Sequence, residues 1–487
     1  MNKFNPLKDD TLPQNINVRS RTSIKHPRRL KKVFIFLIII VLFVTYFLGL
    51  FTGQSQWIDG LAQTLGYQSD YHHAVIIDAG SSGSRVLAYK FRVPFAVFGQ
   101  PNLDLTEEYF EQSKPGLSSF ADNPGAETIV QLIKKAEFLT PPEKRKSTPL
   151  IVRATAGLRL LPAEKAQALI SEVDLAISKL GYNTGSRSVE IMDGSDEGIF
   201  IWYTVNLLHG KILNLFSYLL PKSSVRKEVL LQIIVTVDNP GCSSDLMQQS
   251  TMAALDLGGG STQITYQLGA SDTAQYPSKD QYVVPAGDNI TLYTHSYLNL
   301  GLLAARKGVF TQEAGNDTTE LTSVCVDPIT QREPWTYANK QYYISGAPRP
   351  AGMKRKDVYQ RCHAVVKKYV LDTLDWEPKA PPKGNVAAMS YFYDVAADAG
   401  MIDVMSGGTV SVNAYRNTAL SACSASNVEQ PWACVDLVYI VTLLHDAYKI
   451  HGNKDISLFK KVKGHEVSWA LGLAYTTVMN KITTSPQ

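Results

Sequence analysis

Two Gly-rich loops of one design bound what this chain can fold into. The first reads VIIDAGSSGSRV over Val75–Val86 and the second AALDLGGGSTQI over Ala253–Ile264. One constant offset lays Asp78 on Asp256, Gly80 on Gly258, Ser84 on Thr262 and Val86 on Ile264. Each loop begins as a short apolar strand, reaches an aspartate, and turns through glycines and hydroxyls. Beyond the turn, Arg85, Leu87, Tyr89 and Phe91 alternate with Val86, Ala88 and Lys90, and Ile264, Tyr266 and Leu268 with Thr265 and Gln267. Period two is the mark of a strand, so each loop is read as a β-hairpin. A Walker loop or a dinucleotide-binding fingerprint must open a helix, and both are excluded on that ground. Glycines let a backbone approach an anion closely, and turn N–H groups make a concave nest for phosphate oxygens. Two such hairpins facing each other would clamp a polyphosphate from both sides.

A duplicated loop also predicts a duplicated architecture of two lobes with a nucleotide between them. Five segments extend the pattern: DAGSSGSR (Asp78–Arg85), ATAGLRLLP (Ala154–Pro162), DGSDEGIFIW (Asp193–Trp202), DLGGGSTQI (Asp256–Ile264) and SWALGLAY (Ser468–Tyr475). In these motifs, and in their order, the chain resembles the apyrases, or nucleoside triphosphate diphosphohydrolases, from about His73 to about Tyr475. The resemblance implies an α/β, actin-like and sugar-kinase-like ATPase fold, built from duplicated ribonuclease-H-like domains with the active site in the interlobe cleft.

The rest of the chain bounds where such an enzyme works. At 487 residues, 45% hydrophobic and 19% charged, it has room for two or three domains of ordinary globular composition. The net charge of +4 is dominated by one end and gives no argument for nucleic-acid binding. Arg19, Arg21, Lys25, Arg28, Arg29, Lys31 and Lys32 cluster before an uncharged apolar run over residues 33–51. At about 1.5 Å per residue that run reaches roughly 28 Å, enough for a bilayer core. It exceeds the apolar core of a signal peptide, about 7–15 residues. The basic flank precedes it, so the reading is a type II signal-anchor with everything beyond residue 52 luminal or outside. Sequons at Asn289 and Asn316 agree with a luminal glycoprotein. Of the five cysteines, Cys242, Cys325, Cys362, Cys423 and Cys434, four could form two bridges in an oxidising lumen. The resemblance favours Cys325–Cys362 and Cys423–Cys434, leaving Cys242 unpaired.

The domain reading is a basic cytoplasmic tail (1–32), the anchor (33–51), a luminal spacer (52–72), lobe I (73–210), an atypical insertion (211–251), lobe II (252–465) and a C-terminal helix returning to lobe I (466–487). Within lobe I, Ser195 is read as the N-cap of a helix over Asp196–Leu208, with acidic residues in its first turn. Helices are also read at Asp436–Ile450 and Val467–Lys481. The insertion is longer than these motifs need, carries the apolar run Val229–Val237, and receives no function. It is read either as an elaborated loop or as a gene-model error.

Cleaving a phosphoanhydride needs charge neutralisation, a positioned water and a base for its proton. Taken alone, Glu197 is a first-turn glutamate favoured by the helix dipole. The resemblance implies that it is the general base, with Asp196 as its rival. Asp78 and Asp256, at symmetry-related strand ends, suit a hard divalent cation, Ca2+ or Mg2+, held through water. The resemblance assigns both to the cation shell. Ser81, Ser82, Gly83, Ser84, Gly258, Gly259, Gly260 and Ser261 are expected to cradle phosphates. Arg85 is read either as a terminal-phosphate ligand or as one half of a salt bridge within the lobe. By resemblance Thr155, Ser261 and Gln263 position the attacking water or the cation's waters; Arg159 is read as structural. Tyr393, in YFYD, is the expected stacking ring for the base.

Single-anchor, four-cysteine members of the family resemble the chain best. They imply hydrolysis of nucleoside diphosphates, UDP and GDP preferred, in the Golgi or endoplasmic reticulum membrane. The runner-up is a cell-surface or secreted triphosphate and diphosphate hydrolase. A sugar kinase would show an acceptor site, and a non-catalytic actin-like scaffold would not release phosphate.

Overall fold

The computed structural model describes residues 32, 34–44, 56–95, 103–120, 125–211, 251–269, 271–284, 290–314 and 318–484. The chain divides into two units, 1–55 and 56–487. In the first, residues 34–44 are helical and their large apolar side chains are exposed. Residues 33 and 45–51 of the apolar run lie outside the described residues. Among the described residues no helix is long and apolar enough to cross a membrane. Cys242, Asn289, Asn316 and residues 212–250 of the insertion also lie outside them.

The larger unit is built on two sheets with one inner topology. The first holds β1 (Tyr71–Ala79), β2 (Ser84–Arg92), β3 (Asp104–Ser113), β4 (Leu150–Ala154) and β5 (Val189–Ile191), in the order β3-β2-β1-β4-β5. β1 and β2 form an antiparallel hairpin, and β4 lies parallel to β1 on its other side. The second sheet begins with β6 (Ala253–Leu257), β7 (Ser261–Gln267), β8 (Gln281–Val283) and β9 (Thr291–Leu298). A three-stranded sheet follows in the chain: β10 (Glu320–Ser323), β11 (Glu333–Tyr337) and β12 (Lys340–Gly346). The second sheet is completed by β13 (Val386–Ser390), β14 (Gly408–Ser411) and β15 (Asp455–Leu458), in the order β14-β15-β13-β6-β7-β9-β8. Its inner run β9-β7-β6-β13-β15 repeats β3-β2-β1-β4-β5 in order and sense. The duplication in the motifs is therefore a duplication of topology.

Helices α1 (Ala126–Ala136) and α2 (Ala163–Ile177) cover one face of the first sheet, where Val75, Ile77, Val86 and Ala88 are buried with Ile129, Leu132, Leu169 and Val173. The opposite face, carrying Ile76, Leu87, Tyr89 and Phe91, packs against α3 (Gly194–Leu208) and the C-terminal helix Trp469–Thr484. The same core takes in Ala254, Leu292, Ala387 and Met389 of the second sheet, so α3 and the terminal helix serve both sheets. Thr204 on α3 ties them: its hydroxyl donates to the Ser468 carbonyl at 2.7 Å and accepts the Gly472 N–H at 2.8 Å.

Two local expectations are corrected. The N-cap of α3 is Asp193 rather than Ser195. Its carboxylate accepts the Ser195 N–H at 2.7 Å, so the helix starts at Gly194, a turn that both residue types could have capped. The helix read over Asp436–Ile450 is instead Ala433–Thr442 followed by a π-turn, Leu443–Ala447. Both bridges implied by the resemblance, Cys325–Cys362 and Cys423–Cys434, are formed.

Candidate active site

Both hairpins close as the alternation requires. The Gly80 N–H donates to the Gly83 carbonyl at 3.1 Å, and the Gly258 N–H to the Ser261 carbonyl at 3.0 Å. The two turns meet. A Cβ on Gly259 would lie 2.8 Å from Ser81 Oγ, so a bare backbone is what lets the second loop approach the first. Between them opens a cavity of about 360 Å3, walled by Asp78, Gly80, Ser81, Ser82, Arg85, Thr155, Glu197, Asp256, Gly258, Gly259 and Ser390, with Tyr391, Tyr393, Asp394, Lys460, Glu466 and Trp469 among the residues beyond.

Three buried carboxylates face this space. Asp78 is held by Arg85, whose Nη1 lies 2.8 Å from Oδ2; this is the salt-bridge alternative for Arg85. The other oxygen, Asp78 Oδ1, is buried with no hydrogen-bond partner among the described residues. Asp256 accepts a hydrogen bond from Ser390 Oγ at 2.7 Å. Burial raises the pKa of Asp78 above the usual carboxylate range, with Arg85 opposing. Burial also raises Asp256, Asp78 adds to the rise, and Ser390 opposes it. A buried carboxylate pair, each anchored through one oxygen and one of the remaining oxygens orphaned, fits a hard cation with oxygen ligands.

Glu197 enters from the first turn of α3, close against the second sheet. A Cβ on the preceding Gly194 would lie 2.2 Å from Ser296 Oγ, which shows how tightly this helix start is seated. Glu197 Oε2 lies 2.7 Å from Arg159 Nη2 and 3.1 Å from Gln263 Nε2. Both donors are shared with Ser261 Oγ, at 3.1 Å from Arg159 and 2.8 Å from Gln263, and Gln263 also reaches Ser296 Oγ at 2.9 Å. Oε1 has no hydrogen-bond partner among the described residues. Burial pushes the Glu197 pKa up to about 8; Arg159 pulls it down, while Asp256 and Asp78 push it up.

The chain is similar to known proteins in sequence and in fold. The sequence pattern of the GDA1/CD39 (nucleoside phosphatase) family matches residues 65–486. The chain belongs to that family. It is 31% identical over 456 residues to the nucleoside-diphosphatase uda-1 of Caenorhabditis elegans, covering 90% of this chain and 89% of that one. It is 34% identical over 444 residues to the human nucleoside diphosphate phosphatase ENTPD5, covering 88% and 91%. A solved nucleoside triphosphate hydrolase from Neospora caninum shares the fold, with a TM-score of 0.55 at 14% identity over 88% of this chain and 96% of that one. As a GDA1/CD39 member the chain is an α/β, two-lobed hydrolase acting on nucleoside phosphates.

Against that identity the residues singled out in the sequence fall into three groups. Asp78, Ser81, Ser82, Arg85, Thr155, Glu197, Asp256, Gly258, Gly259 and Tyr393 stand on the wall of the phosphatase's cavity. Ser261 and Gln263 stand behind it, bonded into the shell of Glu197. Gly83, Ser84 and Gly260 are not on the wall. Ser84 opens β2 on the face opposite Arg85, where strand alternation sends it into the core at 1% exposure. Gly83 abuts Gln112, and Gly260 abuts Ala156. Asp196, the rival base, is exposed and is absent from the wall.

Tyr393 lies on the wall with little of its ring open. It is 4% exposed and spends its hydroxyl on the Val404 carbonyl at 2.6 Å, which seats it as a packed ring. Its neighbour Tyr391 is half-buried on the same wall, with its hydroxyl against Ser82. Arg159, read as structural, touches the candidate base directly. Ser296 and Ser390 carried no motif signal, because a lone serine is silent until the fold brings it to a carboxylate.

Proposed function

We propose that this phosphatase hydrolyses nucleoside diphosphates, UDP and GDP preferred, to monophosphate and inorganic phosphate, with Glu197 accepting the proton of the attacking water. One observation carries the reading. Glu197 has one oxygen gripped by Arg159 and Gln263 and the other without a hydrogen-bond partner among the described residues, on the wall of a cavity flanked by both Gly-rich turns. A base fixed on one side and free on the other is positioned to take a proton without first breaking a bond. Ser81, Ser82 and the backbone of Gly258 and Gly259 would bind the phosphates, and Thr155 would orient the water. Tyr391, half-buried on the wall, offers a ring for the base. A divalent cation, Mg2+ or Ca2+, would be held by Asp78 and Asp256 through water and would supply charge neutralisation. Its positive charge would also offset the two aspartates that raise Glu197, favouring the ionised base.

Two features support a place of action in the secretory pathway. Two disulfides suit an oxidising compartment. The basic flank and apolar run over 33–51 suit a single anchor with the catalytic part luminal, in the Golgi or endoplasmic reticulum. There the activity would remove the diphosphates that glycosyltransferases release. The test is phosphate release by the full chain from UDP, GDP, ADP and ATP, with and without EDTA. The reading requires the diphosphates to be cleaved faster than ATP and chelation to abolish release. Cleavage of ATP above all diphosphates would overturn the diphosphate assignment, and activity in EDTA would overturn the cation.

A further inference from the structure

Ser390 has a backbone conformation that its residue type rarely adopts. It ends β13 and precedes the helix Tyr391–Asp398 with φ 57° and ψ −127°. Residues with a side chain seldom occupy this region, whereas glycine enters it freely. Among the described residues seven other non-glycine residues have positive φ: Asn299, Arg332, Ala338, Asn339, Asn427, Lys449 and Lys463. None of them stands on the wall of the phosphate cavity; Ser390 does. The strain therefore falls where it can serve chemistry.

Its side chain is equally unusual. A serine at a helix N-cap ordinarily turns its oxygen onto the N–H groups of the first turn. Ser390 makes no such bond. Its hydroxyl points to the neighbouring strand and donates to Asp256 Oδ1 at 2.7 Å. β13 runs parallel to β6 with Met389 beside Asp256, so Ser390 lies one residue beyond the aspartate on the strand next to it. In that register a left-handed turn aims the hydroxyl at the carboxylate. Glycine would satisfy the backbone but supply no donor.

We propose that Ser390 is the positioning residue for the cation-facing carboxylate of Asp256, a role that rests on the two-aspartate cation reading above. By fixing Oδ1, the hydroxyl sets the plane of the carboxylate and leaves Oδ2 as the oxygen for the cation's water shell. It does for Asp256 what Arg85 does for Asp78, without adding a positive charge beside the cation. Hydrogen-bonding partners of ligating groups typically alter metal affinity or activity by about 10–100-fold when removed.

The test uses the full chain with Ser390→Ala and Ser390→Gly. Two quantities are measured: the Mg2+ concentration for half-maximal UDP hydrolysis at saturating UDP, and the Mg2+ concentration at the midpoint of the rise in melting temperature caused by Mg2+ alone. Both variants should raise both concentrations about tenfold. The glycine variant should melt at least as high as the alanine variant, because only glycine is free of strain at φ 57°. Unchanged half-saturation and midpoint in a folded glycine variant would overturn the role of Ser390. So would a rise in KM for UDP with Mg2+ dependence unaltered, since that would make the hydroxyl a substrate contact. If the wild-type chain itself ignores Mg2+ and EDTA, the cation reading fails first.

Discussion

The two Gly-rich hairpins share a backbone and differ at the residue that faces the aspartate across the ladder. In the first, Asp78 pairs with Arg85; in the second, at the matching position, Asp256 pairs with Gln263. Arg85 turns back onto its own aspartate at 2.8 Å. Gln263 turns away and reaches Glu197 at 3.1 Å, while Asp256 is served by Ser390 from the next strand. The first hairpin thus closes its charge on itself, and the second lends its side chain to Glu197, the candidate base. Duplication has kept the fold of the two halves and divided their chemistry.

The largest effect should come from removing either aspartate. Asp78→Asn and Asp256→Asn should each lower phosphate release about a hundred- to a thousandfold at saturating nucleotide, since preorganised charge stabilisation is worth several kcal/mol. If one variant were nearly silent, the two hairpins would not share a cation.

The facing residues should separate the hairpins further. Gln263→Ala should lower kcat about tenfold with little change in KM, because Gln263 acts through Glu197. Arg85→Ala should chiefly raise the Mg2+ concentration for half-maximal activity, because Arg85 holds Asp78. Steady-state kinetics on both variants reads the split, and a reversed pattern would break the comparison.

Arg159 sharpens the account of the base. It holds Glu197 Oε2 at 2.7 Å and opposes the burial that pushes the Glu197 pKa up to about 8. Arg159→Met removes that opposition, so the pKa rises further and less of the base is ionised at neutral pH. The acidic limb of the kcat profile should move to higher pH, with about a tenfold loss at pH 7 recovered in alkali. A profile that keeps its shape would show that Arg159 does not tune Glu197.

The smallest effect lies outside both hairpins and serves as a control for folding. Burial raises the pKa of Asp446, but hydrogen bonds from His363 at 3.1 Å and Lys367 at 3.0 Å hold its carboxyl well below the usual range. A group lowered on folding contributes stability above its unfolded pKa, about 4, and loses it as pH falls. Asp446→Asn should therefore cost about 1–2 kcal/mol at pH 7, with the gap closing below about pH 4 and turnover kept. Denaturant titration at two pH values measures it.

What the sequence made legible followed from periodicity and spacing. The hairpins, their aspartates and the repeated topology could be read because strand alternation and Gly-rich turns are local signals. The shell of Glu197 could not. Arg159, Gln263 and Ser296 come from three separate segments and meet only when the sheets pack. Ser84 shows the converse: the motif named it for the phosphate, and alternation turned it into the core. Tyr393 and Tyr391 are indistinguishable by sequence; in the fold the Tyr393 hydroxyl is taken by the Val404 carbonyl while Tyr391 stands half-buried on the wall.

The central claim is that Glu197 takes the proton of the attacking water. Glu197→Gln keeps the shape and the hydrogen-bonding reach of the side chain and removes its basicity. Phosphate release and nucleotide affinity measured on the same folded variant test it directly. Turnover should fall by about 10²–10⁴-fold, the usual worth of a general base, while nucleotide binding persists. Near-normal turnover, with only the 0.3–1 kcal/mol or so of stability that a first-turn acid contributes to a helix, would contradict it.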